Sequence, residues 1–397
     1  MAYLTLKKYE YINHGKVLEE YHKRFDSYDS HKIGVNVGAY PAFFVETNEI
    51  RKNALVIHKM DKQIAKLCSM LPCEAYKQFV VKSLVDEIQI TNDIEGVRST
   101  RQEIRDAYEN KKMRFKGIVN KYRMLLSEEP VPLSSIQNIR EIYDELVLLE
   151  VVEDDEKNRP DGKIFRANEV SVFGTKLTPI HVGLYPEERI IEAMEQALQY
   201  LNKEDEELLY RIAVFHYLIG YIHPFYDGNG RLNRFISSAM LINEFEPVYS
   251  YRLSYTIKQN QSLYNKEFVE CNDAKNYGEL TSFVEMFLGM LFDSMVNLLE
   301  ALKTRKEEWD HYKGQIGKLP HSQNRLYPRL YEALIINKLF SYVGISISEL
   351  KQQLNISLPT LRKMLSVLND ENLIETANEG KTILYSIDLE EIKKRVG

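Results

Sequence analysis

Apolar residues recur at helical spacing along most of the chain, and this pattern predicts a mainly α fold. One such stretch starts near Thr47 and keeps its apolar side chains on one helix side through residue 70. A second helix is expected from about residue 73 until Gly96. Thr100, three residues before Glu103, then predicts a helix start with a capping box. Further helices are expected within residues 115–150, 189–202, 208–222, 235–245, 261–272 and 279–309.

Three stretches depart from the helical pattern. The first 50 residues mix glycine, proline and β-branched residues, so they are expected to be loops with little regular structure. Within a polar, turn-rich insert, residues 163–167 and 169–174 alternate like two short strands that would form a hairpin. Residues 314–324 combine Gly314, Gly317 and Pro320 with polar side chains, a composition typical of a linker.

The last 80 residues or so have the pattern of a separate unit. Three helical stretches are followed by a strand, a turn and a second strand, which is the order of a winged helix-turn-helix over residues 320–397. Ser346 or Ser348, and Ser357, stand where helix N-caps are expected. The unit is mildly basic within an acidic protein, so the composition alone does not select DNA as its partner.

Composition narrows the class of protein. A chain of 397 residues is expected to form two or three domains, and a net charge of −6 provides no global basic field for nucleic acid or membrane. We see no secretory signal and no apolar run as long as a membrane span, so no membrane partner is expected. The cysteines Cys68, Cys73 and Cys271 lack metal-site spacing, which favours free thiols in the reducing cytoplasm.

The densest polar chemistry lies in HPFYDGNGRLNR, residues 223–234, between two apolar helical stretches. Gly228 and Gly230 bracket Asn229 where a loop enters a helix, an arrangement whose backbone N–H groups form an anion-binding nest. Arg231 and Arg234 lie three residues apart on the new helix, where both could meet phosphate oxygens.

Two further groups in this turn complete a chemical hypothesis. Asp227 stands next to the anion nest, and Mg²⁺ held by one carboxylate and substrate phosphates would explain its place there. His223 can accept a proton at neutral pH. Each residue alone has a structural explanation, as a turn, an ion pair or a buried imidazole. Together they predict phosphate-ester or phosphoanhydride chemistry with Mg²⁺ and a histidine base.

The same twelve residues match the Fic motif HPFxDGNGRxxR at every specified position, and the chain resembles the Fic family over about residues 80–290. The resemblance implies a Fic-type helical bundle with a short β-hairpin flap. With the other patterns it predicts an N-terminal helical region (1–115), a Fic catalytic core (116–313) and the winged helix (320–397). Fic proteins with the complete motif typically transfer AMP from ATP to a Ser, Thr or Tyr hydroxyl of a protein and release pyrophosphate.

Residue by residue, the resemblance implies roles for the motif. His223 would be the base that deprotonates the target hydroxyl, and Asp227 would bind Mg²⁺. Gly228, Asn229, Gly230 and Arg231 would bind the α- and β-phosphates, and Arg234 the γ-phosphate. Tyr264 and Asn272 would lie near the adenine, although Asn265 stands where the family usually has a second tyrosine.

A second implied element is the flap, over NEVSVFG and TPIHVGLYP. In the family this hairpin pairs with an incoming target segment by strand addition. The residues implied in docking the target, which is a hydroxyl-bearing protein or the chain itself, are Val172, Gly174, Ile180, His181 and Val182. An exposed hairpin without a partner is the structural alternative.

A third element, TNDIEG at residues 91–96, resembles the inhibitory motif of the family. Glu95 would form a bidentate pair with Arg234 and repel the ATP triphosphate, with Thr91 as part of the same motif. Read in isolation, a glutamate before a helix-ending glycine is usually a solvated cap. The complete motif elsewhere in the chain favours inhibition in cis.

Two alternatives remain open at this point. Other Fic-related proteins transfer phosphate or phosphocholine, but those differ from the intact GNG or second arginine seen here. Alternatively, the chain is a DNA-binding regulator whose Fic domain senses nucleotide, with Arg362, Lys363 and Lys381 of the winged helix on DNA. The winged helix could also bind protein, and the resemblance suggests a homodimer.

Overall fold

A computed structural model describes residues 3–109, 114–127, 130–173, 179–341, 344–379 and 382–396. The chain divides into two compact units, one formed by Met1–Asp61 and Leu84–Val296 and the other by Lys62–Ser83 and Asn297–Gly397. The mainly α fold expected from the sequence is confirmed.

The helices take up most of the described chain. They are α1 (Leu6–Ile12), α2 (Val17–Phe25), α3 (Asn48–Ser69), α4 (Cys73–Ile94), α5 (Arg101–Tyr108), α6 (Lys116–Met124), α7 (Ile136–Tyr143), α8 (Leu149–Asp154), α9 (Glu187–Leu201), α10 (Leu208–Ile222), α11 (Asn229–Ile242), α12 (Pro247–Ser250), α13 (Leu253–Gln259), α14 (Gln261–Asn272), α15 (Thr281–Gln315), α16 (Leu326–Phe340), α17 (Ile347–Leu354), α18 (Leu358–Asp370) and α19 (Leu389–Val396). A π-helical turn, Asp144–Leu148, joins α7 to α8. The boundaries between the two units fall inside α3, α4 and α15.

The strands form three small sheets. They are β1 (Ser30–Val37), β2 (Tyr40–Val45), β3 (Ser171–Phe173), β4 (Pro179–Val182), β5 (Ile345–Ser346), β6 (Ile374–Glu379) and β7 (Thr382–Ile387). The first two sheets are the antiparallel pairs β1–β2 and β3–β4, and the third has the order β5-β7-β6.

The N-terminal region is more regular than its composition suggested. Our expectation of loops is wrong, because β1 and β2 form a hairpin with a register irregularity between Lys32 and Asn36. Ile33, Val35 and Val37 are buried while their neighbours are exposed, which is the alternation of a half-buried strand. The hairpin helps to complete a cluster of apolar side chains, with a core of Leu6, Val17, Tyr21 and Phe43.

The centre of the larger unit is built around α10. Nearly every side chain of this helix is buried, and α9 and α11 pack on either side of it. A helix that is apolar all round belongs in a core, as its sequence indicated. The buried helix ends at Ile222, so it places the following polar turn at a fixed position.

The insert before α9 does not form the hairpin that we predicted from residues 163–167 and 169–174. Residues 163–167 do not form a strand, because their N–H groups bind the side chains of Glu187 and Asp161 and the carbonyl oxygen of Pro224 instead of a neighbouring strand. The Glu187 carboxylate accepts hydrogen bonds from the backbone N–H groups of Lys163, Ile164 and Phe165. The hairpin is instead β3 with β4, in the region that resembled the flap.

In the smaller unit, α16, α17 and α18 are followed by β6 and β7, and β7 also pairs with β5. Ser346 caps α17 in a capping box with Glu349, and Ser357 caps α18. The expected linker is folded, because Ile316 and Leu319 are buried next to a 3-10 turn. The description of this unit as a winged helix-turn-helix stays a prediction.

One described helical segment, Thr281–Lys318, is long and apolar enough to cross a membrane by length and composition. The expectation that no apolar run reaches this length is therefore wrong. Of its most apolar window, 61% is buried inside the protein.

Candidate active site

The polar turn between α10 and α11 has two left-handed residues, one near each end. His223 follows the last residue of α10 with φ 52° and ψ 64°, and Gly228 precedes α11 with φ 79°. Left-handed backbone suits glycine but is unfavourable at a histidine, so other contacts must hold His223. The side chain of Asn229 closes the turn by accepting from Phe225 N at 3.0 Å and donating to Phe225 O at 2.8 Å.

This use of Asn229 refines its expected role. Its side-chain amide is engaged with Phe225, so its backbone N–H is the group expected to meet a phosphate. The N–H groups at the start of α11 have no partner within that helix, which leaves a ready site for an anion. The ring of Tyr143 stacks on Phe225 with centroids 3.6 Å apart and supports the turn from α7.

Asp227 fits a Mg²⁺ site that substrate would complete. In the described part of the chain no three His, Cys, Asp or Glu side chains cluster as a metal site. Mg²⁺ commonly keeps waters and substrate phosphates as ligands, so one protein carboxylate is sufficient. The Asp227 carboxylate makes no ion pair among the described residues, and its Oδ1 accepts from Gly228 N at 2.5 Å.

Arg234 is held by the end of α4. Its Nη2 donates to Glu95 Oε1 at 2.6 Å, and its Nε donates to Thr91 Oγ1 at 2.6 Å. Nη2 also reaches the carbonyl oxygen of Thr91 at 3.2 Å. The expected bidentate pair of Glu95 with Arg234 is therefore wrong in its geometry, because the Nε of the guanidinium is used by Thr91. Glu95 contacts Arg234 through a single oxygen.

Glu95 also lies against the turn itself. A Cβ built on Gly230 would collide with Glu95 Oε1, so glycine is required at this point for the carboxylate to approach. The side chain of Glu95 keeps 25% exposure while that of Arg234 keeps 4%. A negative charge thus lies at the start of α11, where an incoming anion would otherwise bind.

Arg231 has a carboxylate partner that the sequence did not indicate. Its Nη1 donates to Glu150 Oε2 on α8 at 3.0 Å. Burial raises the pKa of Glu150, and the positive charge of Arg231 opposes that effect. Eighty-one residues separate the two side chains, and no local pattern pairs them. Both arginines of the motif are therefore occupied by glutamates.

The electrostatic setting of His223 keeps its imidazole neutral. Burial and the positive charge of Arg166 lower the pKa of His223 to about 4, with His181 adding to the effect and Glu95 opposing it. The imidazole is therefore neutral at pH 7 and has a lone pair free to take a proton.

The expected adenine residues are engaged in side-chain contacts. Tyr264 is hydrogen bonded to His216 Nε2 at 2.7 Å, and Asn272 Oδ1 accepts from the Tyr217 hydroxyl at 2.6 Å. Burial lowers the pKa of His216 to about 3, so this imidazole is neutral and belongs to the core. Tyr264 shares the electrostatic environment of Arg234 and Glu95, whereas Asn272 is hydrogen bonded to Tyr217 on α10.

The flap residues lie beside the turn. His181 donates from Nε2 to the carbonyl oxygen of Tyr221 at 2.6 Å, and Val182 is 47% exposed. Val172 and Ile180 are described for their backbone in β3 and β4, and Gly174 lies outside the described residues.

Comparison with known proteins finds a family match that spans the polar turn. Residues 133–241 match the sequence profile of the Fic/DOC family. A probable protein adenylyltransferase of Aquifex aeolicus (strain VF5) is 26% identical over 124 residues, which are 31% of this chain and 38% of that protein. The chain thus matches under two fifths of the length of this curated relative.

Among solved structures, a Fic family protein from Desulfovibrio desulfuricans G20 aligns over 88% of this chain and 99% of its own, with a TM-score of 0.51 and 20% identity. Fic-1 from C. elegans (residues 134–508) aligns over 64% of this chain and 73% of its own, with a TM-score of 0.44 and 20% identity. The fold is similar to that of a solved Fic family protein, and residues 133–241 match the Fic/DOC family. This match confirms the resemblance to the Fic family that was found in the sequence.

Proposed function

We propose that the protein is an ATP- and Mg²⁺-dependent adenylyltransferase that moves AMP onto hydroxyl groups of proteins, including its own. The observation that carries this proposal is the complete motif on one turn. A neutral histidine, an anion-binding helix start, one carboxylate and two arginines meet there. The curated Aquifex relative, named a probable protein adenylyltransferase, supports the same class of reaction.

In the proposed reaction His223 takes the proton of the target hydroxyl as its oxygen attacks the α-phosphorus. The bond from the α-phosphorus to the bridging oxygen breaks, and pyrophosphate leaves with the electron pair. Asp227 would hold Mg²⁺, which reduces the negative charge of the phosphates when bound. The start of α11 and Arg231 would bind the α- and β-phosphates, and Arg234 the γ-phosphate.

We propose further that Glu95 inhibits the site in cis. Its carboxylate takes the guanidinium that should bind the γ-phosphate, and it lies against Gly230 at the helix start. A triphosphate arriving there would meet a negative charge in place of a free arginine. The site would remain inactive until Glu95 moves away.

The target segment would add to the flap as an extra strand. β3 and β4 form an antiparallel pair, and β4 runs directly into the residues that bind the catalytic turn. An extended peptide pairing with this hairpin would bring its hydroxyl side chain toward His223.

Labelled ATP tests the reaction class. The Glu95→Gly protein should incorporate label from α-³²P-ATP into itself or into proteins of a lysate, and none from γ-³²P-ATP. Incorporation from γ-³²P-ATP would contradict AMP transfer and would indicate a kinase. The matched control is Asp93→Ala, which removes another carboxylate from the same end of α4. The Asp93 carboxylate pairs with Lys258 at 3.0 Å and not with Arg234.

A second candidate function is that of a DNA-binding regulator in which the Fic domain senses nucleotide. The order of α16, α17, α18, β6 and β7 favours it, and Arg362 and Lys363 are exposed on α18. Lys381, expected in the wing, lies outside the described residues. Retention of the full chain on duplex DNA that weakens steeply with salt would support this function. Retention that is absent or independent of salt would contradict it.

A further inference from the structure

Arg166 is a buried cation whose side-chain hydrogen bonds, within the described part of the chain, all go to backbone oxygens. Its side chain has no exposed surface, and among the described residues it makes no ion pair. Its Nε donates to His223 O at 2.9 Å, its Nη2 to Leu184 O at 2.7 Å, and its Nη1 to Asn168 O at 2.5 Å. A buried charge is costly, so a guanidinium held only by carbonyl dipoles needs all of these partners.

These bonds belong to a continuous set that joins residues 221–224 to Arg166, which precedes β3, and to His181 and Leu184 at the end of the flap. The carbonyls of four successive residues, 221 to 224, each accept a hydrogen bond from that chain. The donors are His181 Nε2 for Tyr221, Leu184 N for Ile222, Arg166 Nε for His223 and Arg166 N for Pro224, at 2.6, 3.1, 2.9 and 3.2 Å respectively. Carbonyls at the end of a helix have no partner within that helix, and here Arg166, His181 and Leu184 donate hydrogen bonds to them.

The close approach requires glycine at one position. A Cβ on Gly183 would lie 2.5 Å from Arg166 Nη2 and 3.0 Å from His223 Cβ. The guanidinium therefore fills the space between the end of β4 and His223. From there its charge acts directly on the imidazole, together with that of His181, while Glu95 acts in the opposite sense.

We propose that Arg166 is a positioning residue that joins the base and the flap into one rigid part. It fixes His223 in its left-handed conformation and ties that conformation to Leu184 at the end of the flap. A target strand that pairs with β4 would then find the base at a set distance. This inference rests on the proposed role of His223, on which Arg166 acts through its hydrogen bonds to backbone carbonyls.

Two substitutions separate the charge of Arg166 from its geometry. Arg166→Lys keeps the charge but replaces a planar fork by a single ammonium, which cannot serve three carbonyls. Arg166→Met removes both. In the Glu95→Gly background, the rate of self-labelling at saturating ATP should fall about 10- to 100-fold in both variants, since a small misplacement of a reacting group has effects of that size. The KM for ATP should change less than about threefold, because Arg166 is not among the residues proposed to bind ATP.

NMR titration of ¹³C-histidine-labelled protein provides a readout that does not depend on activity. The His223 resonance is assigned by its absence in His223→Ala. Arg166→Met should raise the pKa of His223 toward its ordinary value, whereas Arg166→Lys should leave it low. Gly183→Ala displaces the guanidinium without removing it and should reproduce the loss of rate, which keeps the test decisive if Arg166→Met does not fold.

The matched control is Arg305, which also donates to backbone carbonyls, those of Leu339 and Ala301, at 3.0 and 3.3 Å. Arg305→Met should change neither the titration nor the rate. The inference is overturned if His223 titrates as in the parent and the labelling rate stays within threefold in Arg166→Met and Gly183→Ala. Failure of the Glu95→Gly parent to label anything would refute the proposed function instead, and the titration would still decide whether Arg166 holds His223.

Discussion

The two ends of the polar motif, at His223 and at Arg234, are held in different ways. At the Arg234 end, a side-chain carboxylate makes one contact and remains one-quarter exposed. At the His223 end, Arg166, His181 and Leu184 donate hydrogen bonds to four successive backbone carbonyls. Arg166, which makes two of these bonds, is fully buried. The contact of Glu95 with Arg234 can be exchanged for a contact with phosphate at a small cost in free energy. Breaking the hydrogen bonds at the His223 end would instead leave buried polar groups without partners. Under the proposed function, this difference predicts a site whose base is fixed and whose phosphate-binding arginine is switched.

The largest effect should come from the fixed end. In the Glu95→Gly background, His223→Ala should lower the rate of AMP transfer by about 10²- to 10⁴-fold, the usual contribution of a general base. Initial rates with α-³²P-ATP measure it, and the exposed His311 on α15, changed to alanine, serves as the control. A loss smaller than about tenfold would mean that the proton goes elsewhere.

At the other end, Glu95→Gly should raise AMP transfer by roughly 10- to 100-fold, the range of one charge-assisted contact of about 1.5–3 kcal/mol. The reason is that Arg234 becomes free to bind the γ-phosphate. Asp93→Ala should leave the rate near that of wild type. Equal rates for wild type and Glu95→Gly would end the idea of inhibition by Glu95.

Thr91 tests how firmly the guanidinium is oriented. Thr91→Val keeps the shape but leaves the Nε of buried Arg234 without its acceptor, so the protein should lose about 1–3 kcal/mol of stability. The hold of Glu95 on Arg234 should loosen only in part. We therefore expect a rise in AMP transfer of about two- to fivefold by the same free-energy conversion, below that of Glu95→Gly. A larger rise than with Glu95→Gly would place the main inhibitory contact at Thr91.

A smaller effect is expected one turn earlier on α4, at the fully buried Glu87. Its carboxylate accepts from Ser254 N and Oγ, which anchors the helix to the start of α13. Burial raises the pKa of Glu87 to about 7 from an ordinary 4.5, so the folded protein binds a proton that the unfolded chain has lost. The associated stability is complete below pH 4.5 and is lost as pH rises through about 7.

Glu87→Gln removes this titration. Wild type should lose stability, on the order of 1–3 kcal/mol, between pH 5 and pH 8 relative to the variant. Chemical unfolding of both proteins at the two pH values measures the difference. The same pH dependence in both would show that Glu87 is not the titrating group.

Much of the site could be predicted because its signals are local. The motif turn between two helices and the start of α11 follow from short patterns, and the pairing of Glu95 with Arg234 follows from the resemblance to the Fic family. The single-oxygen geometry of this pair could not be predicted, because it depends on Thr91 competing for the same guanidinium. The packing of α8 brings Glu150 to Arg231, and the sequence around either residue contains no pattern that predicts this contact.

The errors in the fold have a similar cause. Gly34, Gly38 and Pro41 interrupt the N-terminal alternation, yet Ile33, Val35 and Val37 still carried a period of two that predicts a strand. The alternation of residues 163–167 was misleading, because Glu187 and the chain around the turn take their hydrogen bonds. A buried arginine such as Arg166, bound only to carbonyls, has no sequence signature, since its partners are backbone atoms of any residue type.

The most direct test of the central claim compares ATP with ADP in proteins that cannot turn over. Calorimetric titration in the presence of Mg²⁺ would use His223→Ala and His223→Ala/Glu95→Gly. If Glu95 occupies Arg234, the first protein should bind ATP and ADP about equally. The second should prefer ATP by roughly tenfold or more, the value of one charge-assisted contact with the γ-phosphate. The same ratio of ATP to ADP affinity in both proteins would contradict the account.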